Sequence, residues 1–147
     1  MTNQCLQGLF IALFITFAIL VSLTSAVNAG GQLESVDITG VVWKWQQTRY
    51  NNDQLSVPVE SSHYTIEFKP DGTMNIRADC NRGGGNYSTQ GKSLTIELTH
   101  STRAMCPPDS LYFRFNKDLG AATIYFFSEG YLYLDLQYDS GTMKFGQ

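Results

Sequence analysis

From Val41 to Phe145 the chain alternates apolar and polar residues in short runs, and glycine, proline, asparagine and aspartate punctuate them. Val41, Trp43 and Trp45 take one side of an extended segment and Val42, Lys44 and Gln46 the other. Tyr64, Ile66 and Phe68 alternate in the same way with Thr65, Glu67 and Lys69. A period of two is the pattern of a half-buried strand. Pro70-Asp71-Gly72 then predicts a tight hairpin, because proline fixes φ and glycine accepts positive φ. On the return strand Met74, Ile76 and Ala78 face inward, and Cys80 shares their parity, so it is expected to point into the core. Gly83-Gly84-Gly85 leaves the backbone free to bend or to come close to another segment, and Tyr87 is expected to start a short strand that turns at Gln90-Gly91-Lys92. Leu94, Ile96 and Leu98 mark another strand. Thr123–Phe127 and Tyr131–Leu136 form a hairpin around Ser128-Glu129-Gly130, and Thr142–Phe145 closes the series. The loop from Asn51 to Pro58 admits a short edge strand.

One segment has helical spacing instead. Leu111, Phe115 and Leu119 recur at i, i+4 and i+8, which predicts a helix over about 109–119 with those three as its buried stripe. Pro107-Pro108-Asp109-Ser110 is expected to open it, with Lys117 in the last turn and Gly120 as the stop. The expected fold is therefore mainly β, an antiparallel barrel or sandwich of seven or eight strands with one helix covering an end. Trp43 and Trp45 are read as core residues, the alternative being a pair that stacks on sugar.

The N-terminal pattern is different. Residues 1–29 contain no Asp, Glu, Lys or Arg, and Leu9 to Leu23 is apolar apart from Thr16 and Ser22. A fifteen-residue helix spans about 22 Å, short of the roughly 30 Å hydrocarbon core of a bilayer. Small residues follow, with Val27 and Ala29, or equally Thr24 and Ala26, placed as a cleavage site. Residues 1–29 thus read as a secretory signal peptide. The n-region has no Lys or Arg, so an uncleaved membrane anchor is the alternative. Residues 30–39 read as a flexible lead-in and 40–147 as the single β domain. The expected location is exported: periplasm, cell envelope or secreted.

Export changes the meaning of the cysteines. Of the three, Cys5 lies inside the signal segment, which leaves Cys80 and Cys106. In an oxidising compartment an isolated pair is most simply a disulfide. Two buried thiols that merely pack are the competing reading. The net charge of −3 gives no basic face for nucleic acid and reads as ordinary solubility.

No catalytic constellation emerges. Gly85 to Ser93 resembles a phosphate loop, but five residues rather than four precede Gly91-Lys92-Ser93, and a strand pattern follows where a helix is required. His63, His100, Cys80 and Cys106 lack the close ligand pairs of a zinc site. A disulfide would remove the thiolate that a Cys/His nucleophile needs. No cofactor, metal or enzymatic activity is expected. Asn86-Tyr87-Ser88 matches the glycosylation triplet, a match short enough to arise by chance. Asn81, Arg82 and Arg103 flank the cysteines; they either satisfy backbone groups where strands bend or form a patch for an anion or partner.

Several of these short motifs occur together in order. Thr65-Ile66-Glu67-Phe68, Asp71-Gly72, Cys80-Asn81-Arg82, Gly85-Asn86-Tyr87 and Thr102-Arg103 with Cys106 resemble the META domain, the HslJ-like family, and Trp43 matches its early tryptophan. The similarity runs from about Gly40 to Phe145. Asp79 stands where the family usually has glycine, and Ala104-Met105 reverses the usual order, which would exchange which side chain is buried. The resemblance implies an incompletely closed, barrel-like β domain with a helix. It also implies an exported or envelope-anchored protein linked to stress responses, with no established enzymatic activity. Family members occur in bacteria and in a trypanosomatid protein, and the fold is similar to pilot proteins that chaperone outer-membrane secretins. Two roles follow. One is a structural, stress-related or protein-binding envelope module, with Tyr125, Phe127, Tyr131 and Tyr133 as a candidate aromatic partner surface. The other is a barrel that holds a lipid or small apolar ligand. Contact with a membrane is expected only through an uncleaved N-terminal segment.

Overall fold

The computed structural model describes residues 37–147; the signal-peptide reading and most of the lead-in lie outside the described residues. The strands are β1 (Val42–Tyr50), β2 (Leu55–Ser56), β3 (Tyr64–Phe68), β4 (Thr73–Ala78), β5 (Asn81–Gln90), β6 (Ser93–Ser101), β7 (Ala122–Ser128), β8 (Tyr131–Leu136) and β9 (Gly141–Gly146). A single helix, α1 (Tyr112–Gly120), lies between β6 and β7. All strands pair antiparallel with their neighbours in space, and β1 pairs with β9 to close an eight-stranded barrel. The ninth strand, β2, pairs with Thr48 and Arg49 of β1, where β3 no longer reaches.

Closure is uneven. β1 and β9 pair from Lys44↔Gly146 to Tyr50↔Gly141, with one register shift between Trp45 and Gln47, whereas β6 and β7 share one registered pair, Ser93↔Ile124. Here the barrel is incompletely closed. Helix α1 lies beside this seam: its Tyr112 hydroxyl is 3.1 Å from the Ser101 hydroxyl.

The alternating residues meet in one core. Trp43, Trp45, Ile66, Phe68, Leu134 and Phe145 are buried, so both tryptophans are packing residues with no ring face left for a sugar. Trp43 Nε1 donates to the Ile38 carbonyl at 2.9 Å and Trp45 Nε1 to the Thr48 hydroxyl at 3.1 Å, which satisfies both indoles inside the core. Ile38 is itself buried and Thr39 bridges to Phe68, so the packed domain begins ahead of the Gly40 boundary.

Helix α1 starts later than its sequence suggests. Pro107 to Ser110 form a separate turn closed by Ser110 N–H on the Pro107 carbonyl (3.0 Å), and Tyr112 opens the helix. Phe115 and Leu119 are buried as expected and Leu111 is half-buried, but Asp118 is buried with them.

Of the two readings of the three glycines, close approach is the one realised: β5 continues through them instead of bending away. A Cβ on Gly85 would lie 2.0 Å from the Glu97 carbonyl oxygen, and one on Gly84 2.7 Å from that of Met74. Register shifts between Gly84 and Gly85, so glycine here lets β5 approach both neighbours at a bulge.

Candidate functional site

The site is built around the reversal between β4 and β5. Asp79 adopts φ 56°, a left-handed conformation that aspartate tolerates better than most residues. Its N–H donates to the His63 carbonyl at 2.7 Å, and its carboxylate lies 3.4 Å from His63 Nδ1. This reversal cancels the parity argument for Cys80. The residue lies beyond the strand and is exposed instead of facing the core. Its sulfur is nevertheless at disulfide distance from that of half-buried Cys106, and the Cα atoms are 5.5 Å apart.

Asn81 carries the local order. It is 2 % exposed. Its Oδ1 accepts from the Thr102 hydroxyl and the Ala104 N–H, each at 2.8 Å. Its Nδ2 donates to the Ala104 carbonyl at 3.1 Å and lies 3.1 Å from Cys106 Sγ. Thr102 completes the clip: its N–H donates to the Arg82 carbonyl (2.8 Å) and its hydroxyl accepts from the Arg82 N–H (3.0 Å). The Arg82 guanidinium donates to the carbonyls of Asp79 and Asn81. Tyr87 locks the β3–β4 turn, its hydroxyl donating to the Lys69 carbonyl at 2.7 Å, and burial pushes its phenol pKa up. Cys80, Cys106, Asn81, Arg82 and Thr102 are thus brought together by structure-building contacts, whereas Gly85 sits at the β5 bulge, Tyr87 at the β3–β4 turn and Trp43 in the core.

Arg103 behaves differently. It is exposed and makes no hydrogen bond among the described residues. It lines two clefts. One, of about 600 Å³, is bounded by Asn81, Met105, Cys106, Pro108, Tyr112 and Phe113. Across it Met105 is 99 % exposed and Phe113 83 % exposed. The reversed Ala104-Met105 order does not exchange a buried side chain, because both residues are exposed. Both backbone groups of Ala104 are tied to Asn81, and the long methionine side chain is turned out into water. The second cleft, of about 320 Å³, is lined by Leu98, His100, Arg103, Tyr112 and Asn116.

The aromatic residues of the β7–β8 hairpin divide between the faces. Tyr125 pairs with Leu134 and Phe127 with Leu132, and directly opposed residues share a face. Tyr125 and Phe127 therefore lean on the core, Phe127 against Trp43 at 5.7 Å. Tyr131 and Tyr133 remain outside, with Lys144 Nζ 3.6 Å from the Tyr131 ring centroid and Phe126 stacked on Tyr133 at 5.1 Å. The four-residue aromatic surface does not exist as one patch.

Sequence reasoning missed one polar group. Asp118 is 5 % exposed and accepts from the Tyr50 hydroxyl at 2.5 Å. Burial raises the Asp118 pKa against the opposing pull of Tyr50, Thr48, Arg114 and Lys117. Burial, with the adjoining carboxylate, pushes Tyr50 up to about 12. A lone aspartate in a helical stripe is the sequence signal for it, and the contact ties α1 to β1. Among the described residues no three His, Cys, Asp or Glu side chains gather as metal ligands.

The META domain family profile matches residues 37–146. No curated protein matches the chain. Among solved structures it is similar to a DUF4847 family protein from Bacteroides vulgatus, with a TM-score of 0.54 and 16 % identity over 74 % of this chain and 93 % of that one. It is also similar to a protein from Burkholderia xenovorans, with a TM-score of 0.61 and 16 % identity over 74 % and 82 % of the two chains. At that identity the two structures speak for the barrel fold alone. The match over nearly all the described residues makes the chain a member of the META domain family.

Proposed function

We propose that this chain is an exported, non-enzymatic binding module of the cell envelope, and that the cleft between Met105 and Phe113 is where a protein partner docks. One observation carries the reading. Two large apolar side chains stand almost fully in water on a surface that Asn81 and the Cys80–Cys106 pair hold in shape. Exposed apolar residues grouped around a cleft mark interaction sites, and a preformed loop lowers the entropy lost on binding. A structural or stress-related role in the envelope fits the same module. The cysteine pair is compatible with export.

The ligand-barrel alternative has less room. Trp43, Trp45, Phe68, Phe115 and Phe145 already occupy the interior. The test is affinity capture from the envelope of cells that produce the protein, comparing wild type with a Met105→Ser/Phe113→Ser variant. Partners lost in the variant at unchanged thermal stability support the reading. Equal recovery by both proteins overturns it.

A further inference from the structure

The seam of the barrel has a geometry of its own. Lys92, the residue ahead of β6, accepts from the Tyr125 N–H at 2.9 Å. Hydrogen-bonding direction alternates along an antiparallel strand, so Leu94, Ile96 and Leu98 follow Lys92 in turning N–H and C=O toward β7. The β5 register agrees. Tyr87, opposite Ile96, gives its own N–H to Gly72 on the far side. Yet β7 is in register only at Ser93↔Ile124 and does not reach Ile96 or Leu98. Among the described residues these two present an unpaired strand edge. Helix α1 stands beside it, and a Cβ on Gly120 would lie 3.9 Å from Leu98 Cδ1, yet Leu98 is 36 % exposed although it shares the inward parity of buried Leu94. Such an edge accepts another extended chain.

Resting on the binding role proposed above, we infer that the partner is held as an added β-strand along Ile96 and Leu98. It is an extended peptide segment that carries an apolar side chain and a carboxylate. The cleft of about 320 Å³ at the foot of this edge provides Leu98 for the apolar group. Arg103, which lines this cleft and also the Met105/Phe113 cleft, is a cation without a protein partner among the described residues, on a chain of net charge −3. The charge that complements it is acidic. The two clefts share Arg103 and Tyr112, so one extended segment passes from the strand edge to the Met105/Phe113 cleft.

The probe is the set of peptides enriched on the oxidised, intact protein from a random linear-peptide library. Amide hydrogen exchange is read with and without them. The inference expects the Ile96 and Leu98 amides to slow by about tenfold or more in the complex. It also expects N-methylation of alternate peptide residues to weaken binding by a similar factor. Arg103→Glu should lose the acidic peptides. Leu98→Pro removes an edge N–H that β5 does not use and should abolish binding; should that variant fail to fold, exchange on the unaltered protein decides alone. Enriched peptides that leave both amides unprotected overturn the strand-addition inference. If those peptides still need Met105 and Phe113, the cleft reading survives without it. If nothing is enriched, both fall.

Discussion

The side-chain amide nitrogen of Asn81 lies 3.1 Å from Cys106 Sγ and 3.1 Å from the Ala104 carbonyl, so one buried carboxamide holds the loop that the cysteine pair closes. A disulfide alone fixes two points. Asn81 and Thr102 fix the segment between them, and Met105 is thereby presented outward at a defined place.

Asn81→Ala should therefore destabilise the domain by about 1–3 kcal/mol, because the Ala104 N–H and the Thr102 hydroxyl lose their carboxamide partner. Urea unfolding of wild type and variant measures it. A change below about 0.5 kcal/mol would show that water replaces the carboxamide without cost.

Removing the bond itself is a different perturbation. Cys80 is exposed and Cys106 half-buried, so Cys80→Ala/Cys106→Ala creates little cavity and acts mainly on the unfolded chain. The expected loss is about 3.5 kcal/mol, from closure of a loop of this length. Thiol titration of the purified protein under denaturing, non-reducing conditions should find neither residue free. Free thiols at both Cys80 and Cys106 would contradict the pairing.

At the bulge, Gly85→Ala meets the Glu97 carbonyl at a distance that no side chain tolerates, and should cost more than about 3 kcal/mol or prevent folding. Gly91→Ala is the control. Its Cβ would meet nothing within 4 Å, and only its φ of +60° opposes the change, for about 1 kcal/mol. Thermal melting of the pair should separate them widely. Equal costs would refute the close-approach explanation.

Asp118 and Tyr50 give two pH windows. The folded-state pKa of Asp118 is raised, so the folded protein holds a proton that the unfolded chain has released. The contribution is complete below the ordinary carboxylate value and is lost as pH rises through the folded value. Asp118→Asn should remove that component from a stability-versus-pH curve. Tyr50 is also raised, to about 12, so stability should fall as pH climbs from the ordinary tyrosine value toward 12. Phenolate absorbance should show a late-titrating component that is lost in Tyr50→Phe. An unchanged acid limb in Asp118→Asn would contradict the assignment of a raised carboxylate.

Most strands were legible because the alternation of residues such as Tyr64, Ile66 and Phe68 is the packing itself. In β5 the glycines allowed either a bend or a close approach; glycine has no side chain to show a face, so only the pairing of the three strands decides for the second. The parity of Cys80 failed because Asp79 reverses the chain in one left-handed residue. Tyr125 and Phe127 were misjoined to Tyr131 and Tyr133 because cross-strand register, rather than alternation within a strand, decides which residues share a face. The helix began late because Pro107-Pro108 made a turn of its own. At the site, the Cys80–Cys106 pair and the motif residues around it were legible. Met105 and Phe113 were not, because exposure cannot be read from residue type.

The most direct test is a crosslink scan in cells that produce the protein, with a photoreactive residue placed singly at Met105, Phe113, Phe126, Tyr131 or Tyr133. The account predicts a discrete partner adduct from Met105 and Phe113 and none from the three positions on the β7–β8 outer face. Adducts from the outer face, with silence at Met105 and Phe113, would contradict it.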